Sequence, residues 1–571
     1  MDNQKLLIMI LNKIKNLLFI IPGLVVFVSC KKQLDINDNP NNPVKVPLTT
    51  LLTNAEVALG TSLAMGTGLS QDLAVYTHQM STREEANDYA VTGVEFFLTQ
   101  SWPRLYRTTI ANLDQIIKDA TTNDDMIYAG ISKVLKAYAY SQLVDVFGDV
   151  PFSEVGKLEE GIRYPKFDGG ADIYPQLFSM LDEAISDLSN AGAANINAPG
   201  DDDVIYKGST QKWIKTANTI KLKLYTQIRK VQDVSGPVNA LISGGDLIGS
   251  TEESFMLPYG PNGATDDRNP GFGDYFATQR SNHISPWLYE IMKGYNPKMN
   301  AGIEDPRIPY YIYNQETATS SPDNSTEYRD GPFVTIIFGS KGENSAKSQQ
   351  NTVSLFGIYP VGGRYDEGTG GVASAESGTG AAPYRFITYA DRLYLEAELI
   401  QEGIIAGDAK ATLEAAILES FDQIDYTIAN YVKPSQTVPK IVNVDPASPM
   451  MKYIDEILLN FDAASADRKL EIIMTQKWLS SIGSSIDQYT DYRRTGYPVM
   501  FDPNDPEQAP GGFVQPPIDG DPINPGAQAK VPVLRTLPYP LSLPWAQDEL
   551  ETNPNAPAQK TPSDFKVFWM P

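Results

Sequence analysis

The chain has 571 residues, enough for a sizeable buried core, but only one Cys and two His, His78 and His283. That scarcity all but excludes Cys/His zinc sites, disulfides and Cys-His nucleophile pairs, and a Ser-His-Asp triad would have to use one of those two imidazoles. A net charge of −24, from 70 Asp and Glu against 46 Lys and Arg, repels phosphate backbones and anionic headgroups and argues against a nucleic-acid partner.

The N-terminal stretch MDNQKLLIMILNKIKNLLFIIPGLVVFVSC sets Lys5, Lys13 and Lys15 ahead of an apolar run over 17–28. That run is shorter than the roughly 20 residues a bilayer-spanning helix needs. A basic start, a short apolar run and a small residue before the break are the parts of an export signal, whether the chain starts at Met1 or at Met9. Phe27-Val28-Ser29-Cys30 resembles a bacterial lipobox, so residues 1–29 are expected to be a lipoprotein signal peptide and Cys30 the lipidation site. Acyl chains there, at about 0.8 kcal/mol per buried CH₂, anchor a protein without a transmembrane helix.

Residues 30–47 continue as CKKQLDINDNPNNPVKVP, too polar to bury a core, and read as a tether. Asp35, Asn37 and Asn39 have the alternation of a calcium loop but lack its Gly and its distal Glu, and no metal is expected. The remainder, 48–571, is read as a single domain, because none of its loops has the polarity shift of a linker.

Along that domain, helices are predicted over 48–65, 68–80, 98–120, 123–147, 172–189, 210–230, 407–421 and 449–460. Core-facing stripes run through Ile131, Val134, Leu135 and Tyr138, and through Trp213, Ala217, Ile220, Leu224 and Ile228. Two more stripes are Tyr389, Leu393, Ala397, Ile400 and Leu470, Met474, Trp478, Ile482. The fold class is therefore mainly α, built of stacked helix pairs, with a minor β element at 333–338 and 354–359. Long irregular loops are expected at 259–282, 314–385 and 498–545. The small residues of GGRYDEGTGGVASAESGTGAAP in the second point to a mobile excursion.

The Gly-rich stretches lack the GK[ST] ending of a phosphate cradle, and no cofactor is expected. Adjacent carboxylates, Glu84/Glu85, Asp124/Asp125 and Asp201/Asp202/Asp203, have the chemistry of glycoside hydrolysis, but adjacency is expected by chance among so many acids. Neither His has a local setting that marks it as catalytic: His78, within AVYTHQM, reads as a hydrogen-bonded structural residue on a helix, and His283 precedes Pro286-Trp287 in a loop, where ligand contact is the minority reading. The aromatic residues carry more information, since Tyr and Trp in loops present a flat apolar face with a polar edge suited to sugar rings or peptides. Two clusters stand out as ligand-binding candidates: Tyr89, Phe96 and Phe97, and Tyr259, Phe272, Tyr275, Phe276 and Trp287. Trp102, Trp213, Trp478 and Trp569 read as core or anchor residues.

Several segments, in order, resemble the SusD/RagB nutrient-binding outer-membrane lipoproteins, on the starch-binding-like side of that family. They are LDINDNPNNP after Cys30, YAGISKVLKAYAYSQLVDVFGDVPFSE (128–154), DVIYKGSTQKWIKTANTIKLKLYTQI (203–228), YRFITYADRLYLEAELIQEG (384–403), IIMTQKWLSSIGSSIDQYTDYRRTGYP (472–498) and LPYPLS (537–542). Gly148 and Pro151 in FGDVP stop a helix, and Arg493 and Arg494 in DYRRTGYP are planar donors able to tie a helix to a loop. Ser209, where the family often has Asp, and Arg535-Thr536 before LPYP depart from the pattern.

The resemblance implies a tetratricopeptide-like α-α superhelix with a loop-built ligand face. It further implies a lipid-anchored, non-enzymatic outer-membrane protein facing the cell exterior. Such a protein captures oligosaccharides and hands them by loop closure to a SusC-type TonB-dependent transporter. Two alternatives stay open: a peptide-capturing member of the same family, and a surface glycoside hydrolase using an Asp/Glu pair.

Overall fold

The helices alternate with tight stops, and the stops are legible residue by residue in the computed structural model. It describes residues 46–82, 89, 91–277, 280, 282–320, 327–342, 350–517, 526–534 and 537–571. The signal, Cys30, most of the tether with Asp35, Asn37 and Asn39, the Glu84/Glu85 pair and Arg535-Thr536 lie outside them. Met1–Thr50 and Leu51–Pro571 are two compact units, the first described only from residue 46 on.

Within the second unit, Ala111–Asn123 pairs with Met126–Phe147, and Gly170–Leu188 with Thr210–Ile228. Tyr389–Gln401 pairs with Ala409–Thr427, and Pro449–Ala463 with Ala466–Ser480. Successive pairs stack, and Tyr389–Gln401 also packs on Thr210–Ile228 and on Ala466–Ser480. This is the mainly helical stack of pairs the apolar stripes predict, arranged as the superhelix the family resemblance implies. Trp213, Ala217, Ile220, Leu224 and Ile228 are buried, as are Ile131, Val134, Leu135 and Tyr138.

Polar side chains fix the helix starts. Thr388 accepts from the Asp391 amide while Asp391 accepts from the Thr388 amide, closing a capping box, and Asp408, Ser448 and Ser465 cap the next three helices. Left-handed residues fix the ends: Asp124 at φ 61° turns one helix into the next, and Gly496 at φ 80° ends Ser485–Thr495. Before Thr210–Ile228, buried Asp203 accepts from the amides of Ile205, Tyr206 and Gly208 and from Trp213 Nε1 at 2.7 Å. Asp203 thus organises the turn in which Ser209 departs from the family pattern, and Ser209 makes no capping bond.

The structure corrects several boundaries. The helix expected over 98–120 starts at Phe96 and is interrupted by a π-helical segment, Arg104–Ile110, directly after Pro103, which has no N–H to give to the ladder. The helix expected over 68–80 is only Ser70–Tyr76; His78 lies beyond it at φ 54°, and Met80–Thr82 pairs antiparallel with Asn282–Ile284. Ser235–Gly244, Pro286–Lys293, Ser485–Thr495 and Gln547–Thr552 are helices too short for their period to stand out. The strands are paired in twos, including Phe255–Leu257 with Tyr384–Ile387, where the Phe255 and Phe386 rings stack at 4.3 Å.

Candidate functional site

The antiparallel pair Phe255–Leu257 and Tyr384–Ile387 delivers the chain into the loop that begins at Pro258. A Cβ on Gly60 would run into the Leu257 side chain, which shows how closely Gly60 packs on this strand. Asn269 then fastens the loop: its amide donates to the Gly380 carbonyl at 2.8 Å, its Nδ2 to the Ala382 carbonyl at 3.1 Å, and its Oδ1 accepts from the Gly271 amide at 3.0 Å. The short 3₁₀ turn Pro270–Tyr275 follows and carries Phe272 and Tyr275.

Between this loop and Val57, Thr61, Thr67 and Arg104 is a cavity of about 700 Å³. Tyr259, Phe272 and Phe276 line it, and the Arg268 guanidinium lies 5.3 Å from the Phe272 ring centre and 5.1 Å from that of Phe276. Phe276 is 48% exposed, so an aromatic face is open to a ligand. Arg268 is itself paired with Asp266 at 3.1 Å, and Asp267 accepts from the Asn262 amide at 2.7 Å. Two non-glycine residues held at positive φ, Lys207 at 55° and Asp266 at 51°, also line it, a backbone cost that the surrounding turns must offset.

Tyr275 serves the cavity from behind. Its ring is buried and its hydroxyl donates to the Phe356 carbonyl at 2.7 Å and accepts from the Arg364 amide at 2.9 Å. Burial raises its phenol far above the usual range. Arg280 binds the same loop to its neighbours, donating to the carbonyls of Asp274 and Tyr275 at 2.7 and 2.8 Å and to that of Ala373 at 2.5 Å. The excursion expected to be mobile is therefore tied down: Tyr313 donates to the Gly371 carbonyl at 2.7 Å and Thr379 to the Val432 carbonyl at 2.8 Å. Its small residues permit close backbone approach.

The remaining candidates are dispersed. Tyr89 is buried among Tyr76, Phe338 and Tyr539, and its hydroxyl lies 3.0 Å from His78 Nε2. Phe97 is buried, while Phe96 beside it is 64% exposed. Trp287 lines a separate hollow of about 50 Å³ with Phe338 and Phe501, and its Nε1 donates to the Val499 carbonyl at 3.2 Å. The rings of Tyr89, Phe97 and Tyr275 are thus spent on core packing, because tertiary contacts from distant segments cover them. His283 is buried as well, in the strand Asn282–Ile284.

The adjacent carboxylates have structural partners. Asp124 accepts from the Ala194 amide at 2.7 Å, Asp125 from the amide and side chain of Asn197, and Asp202 from Tyr128 Oη at 2.7 Å. Sequence reasoning missed Thr67, Arg104 and Lys207, which also line the cavity. Among the described residues there is no group of three His, Cys, Asp or Glu able to hold a metal, and no helix long and apolar enough to cross a membrane.

The family profile described as "Starch-binding associating with outer membrane", a SusD-like profile, matches residues 40–514. No curated protein matches the chain. Among solved structures, a SusD/RagB family protein from Bacteroides thetaiotaomicron is similar with a TM-score of 0.62 at 18% identity, over 92% of this chain and 99% of that one. A SusD homologue from Bacteroides fragilis is similar with a TM-score of 0.60 at 18% identity, over 81% and 90%. A chitin-binding SusD homologue from Flavobacterium johnsoniae is similar with a TM-score of 0.56 at 21% identity, over 79% and 87%.

Proposed function

This chain belongs to the SusD-like family, and from that premise we propose that it is a cell-surface lipoprotein that captures oligosaccharides and passes them, unmodified, to a SusC-type TonB-dependent transporter. The observation that carries the reading is the cavity at 259–276, where Phe276 and Tyr259 offer apolar faces beside hydrogen-bonding side chains and buried Phe272 backs the wall. Sugar rings ask for that combination: their C–H faces pack on aromatic rings while their hydroxyls need donors and acceptors. The chitin-binding Flavobacterium johnsoniae homologue, which shares the fold, makes chitooligosaccharides a first ligand to try.

Binding without chemistry agrees with the carboxylates at the cavity. Asp266 pairs with Arg268 and Asp267 accepts from the Asn262 amide, so both have structural partners in the loop. Lipid at Cys30 would hold the protein at the outer membrane, with residues 31–47 as tether. The test is a panel of chitin-, starch- and plant-derived oligosaccharides and peptides titrated into the full chain, with affinity purification of the chain from outer membranes. Saturable binding of an intact oligosaccharide and co-purification of a transporter are expected. Peptide binding alone, or release of shortened sugars, would contradict the reading.

A further inference from the structure

Trp287 and Glu290 stand one turn apart on the helix Pro286–Lys293, and both line the hollow of about 50 Å³ that they share with Phe338, Phe501 and Val514. Trp287 is half-buried and its Nε1 is tied to the Val499 carbonyl at 3.2 Å, so part of its ring meets solvent at a fixed angle. The Phe501 ring packs beside it with centres 5.7 Å apart. This hollow shares no lining residue with the cavity at 259–276.

Glu290 is half-buried in the wall, and its two oxygens differ. Oε1 accepts from Tyr328 Oη at 3.0 Å, whereas Oε2 takes no hydrogen bond from the described residues and is reached by solvent. Lys293, one turn further along the helix, is engaged with Glu304 at 2.6 Å. The charged group that Glu290 does sense is another acid, Asp330, which accepts from the hydroxyls of Tyr289 and Tyr295 at 2.7 and 2.9 Å. Burial raises the Glu290 carboxyl to about 7, opposed by the Tyr328 hydroxyl and reinforced by Asp330. A carboxylate half withdrawn from water, with an acid for a neighbour and aromatic carbon in front of it, gains most from a cation that arrives with a ligand.

Resting on the oligosaccharide reading above, we infer that the hollow at Trp287 and Glu290 is a second subsite, which takes the free ammonium group of an amino sugar. The hollow has room for a group of that size and not for the ring that bears it. The C–H face of the sugar lies on the open part of Trp287, and the ammonium donates to Glu290 Oε2 while the indole face attracts its charge. An N-acetylated sugar brings no charge to Glu290 and forgoes both electrostatic contributions. A lysine side chain carries the same charge on a flexible stem and has no need of a platform. The ring of Trp287 one turn from the carboxylate therefore favours an ammonium borne directly on a sugar ring.

The experiment titrates the full chain at neutral pH with three probes: a glucosamine hexamer, an N-acetylglucosamine hexamer and a hexapeptide of lysines. Glu290→Gln, Glu290→Asp and Trp287→Leu are compared with wild type, with the unfolding temperature confirming that each variant is folded. The glucosamine hexamer is expected to bind about tenfold more tightly than its N-acetylated counterpart, the preference shrinking as salt rises. Glu290→Gln is expected to remove most of that preference, Glu290→Asp to retain part of it, and Trp287→Leu to weaken binding of the glucosamine hexamer. Equal or tighter binding of the N-acetylated sugar, tightest binding of the peptide, or a preference unchanged in both Glu290→Gln and Trp287→Leu would overturn the inference. If only the N-acetylated sugar binds, the oligosaccharide reading stands and the ammonium subsite falls; if no sugar binds, both fall.

Discussion

Arg494 grips both oxygens of the Glu398 carboxylate, Nη2 donating to Oε2 at 3.1 Å and Nη1 to Oε1, and both side chains are fully buried. They belong to different helices, Ser485–Thr495 and Tyr389–Gln401, so the pair locks the last superhelical segment to the middle of the array. Arg229 reaches the same Oε1 at 2.7 Å, and Asp491, held by Lys477 at 2.7 Å, takes a second bond from Arg494. Burial alone would raise the Glu398 carboxyl, yet Arg229 and Arg494 outweigh it and hold it below its usual range. Its neighbour Arg493 donates to the carbonyls of Leu541 and Asp145 at 2.9 and 2.6 Å. The two arginines of DYRRTGYP are therefore scaffold residues, as their sequence setting suggests.

Removing one partner of such a pair strands buried charge. Glu398→Gln is expected to lower unfolding stability by about 3–5 kcal/mol, read from denaturant midpoints. Because the folded pKa is depressed, the contribution of Glu398 is present above its unfolded pKa and is lost as pH falls through the folded one. The difference between wild type and variant should therefore narrow at acid pH. A variant as stable as wild type at neutral pH would remove the lock.

Asp145 has the opposite sign. It accepts from Tyr174 Oη at 2.5 Å and Trp569 Nε1 at 3.0 Å, and burial pushes its carboxyl up to about 6 against the pull of Lys223. A raised folded pKa contributes stability below the unfolded value that is lost as pH rises through the folded one. Asp145→Asn keeps acceptors for both donors, so its melting temperature should decline less than wild type between about pH 4 and 7. Parallel curves would refute the shift.

The Tyr275 hydroxyl joins the cavity loop to Phe356 and Arg364. Tyr275→Phe is expected to cost about 1–2 kcal/mol in stability and to weaken oligosaccharide binding through the displaced 3₁₀ turn. Gly363→Ala should do more, because its Cβ would strike the Tyr275 ring. Calorimetry and thermal unfolding on both variants check the order.

Cys30→Ser should abolish incorporation of labelled palmitate and move the protein from the detergent phase to the aqueous phase on phase separation. Protease shaving of intact cells reads orientation: degradation of the wild-type protein is expected, and full protection would place it on the inner face.

Much of the scaffold was legible because the buried stripes repeat at helical spacing. Ile131, Trp213 and Trp478 all lie where their period puts them. The site was legible only in part. Loop aromatics drew attention to Tyr259, Phe272 and Phe276, which do share a cavity, and also to Tyr89, whose ring is covered by Tyr539 from the far end of the chain. No local pattern encodes that contact. Arg104 was missed because a cation on an apparently regular helix reads as a solvated residue; only the π-helical segment beginning at Arg104, and the chain folding back at 258–276, set it against Tyr259.

The most direct measurement is a calorimetric titration of the oligosaccharide panel into the full chain and into a Tyr259→Ala, Phe276→Ala double variant, with the sugars analysed afterwards. The account predicts saturable binding to wild type, recovery of the sugar intact, and a loss of about tenfold or more in affinity in the variant. Wild-type affinity retained in the variant, no binding to wild type, or cleaved sugar in the cell would contradict it.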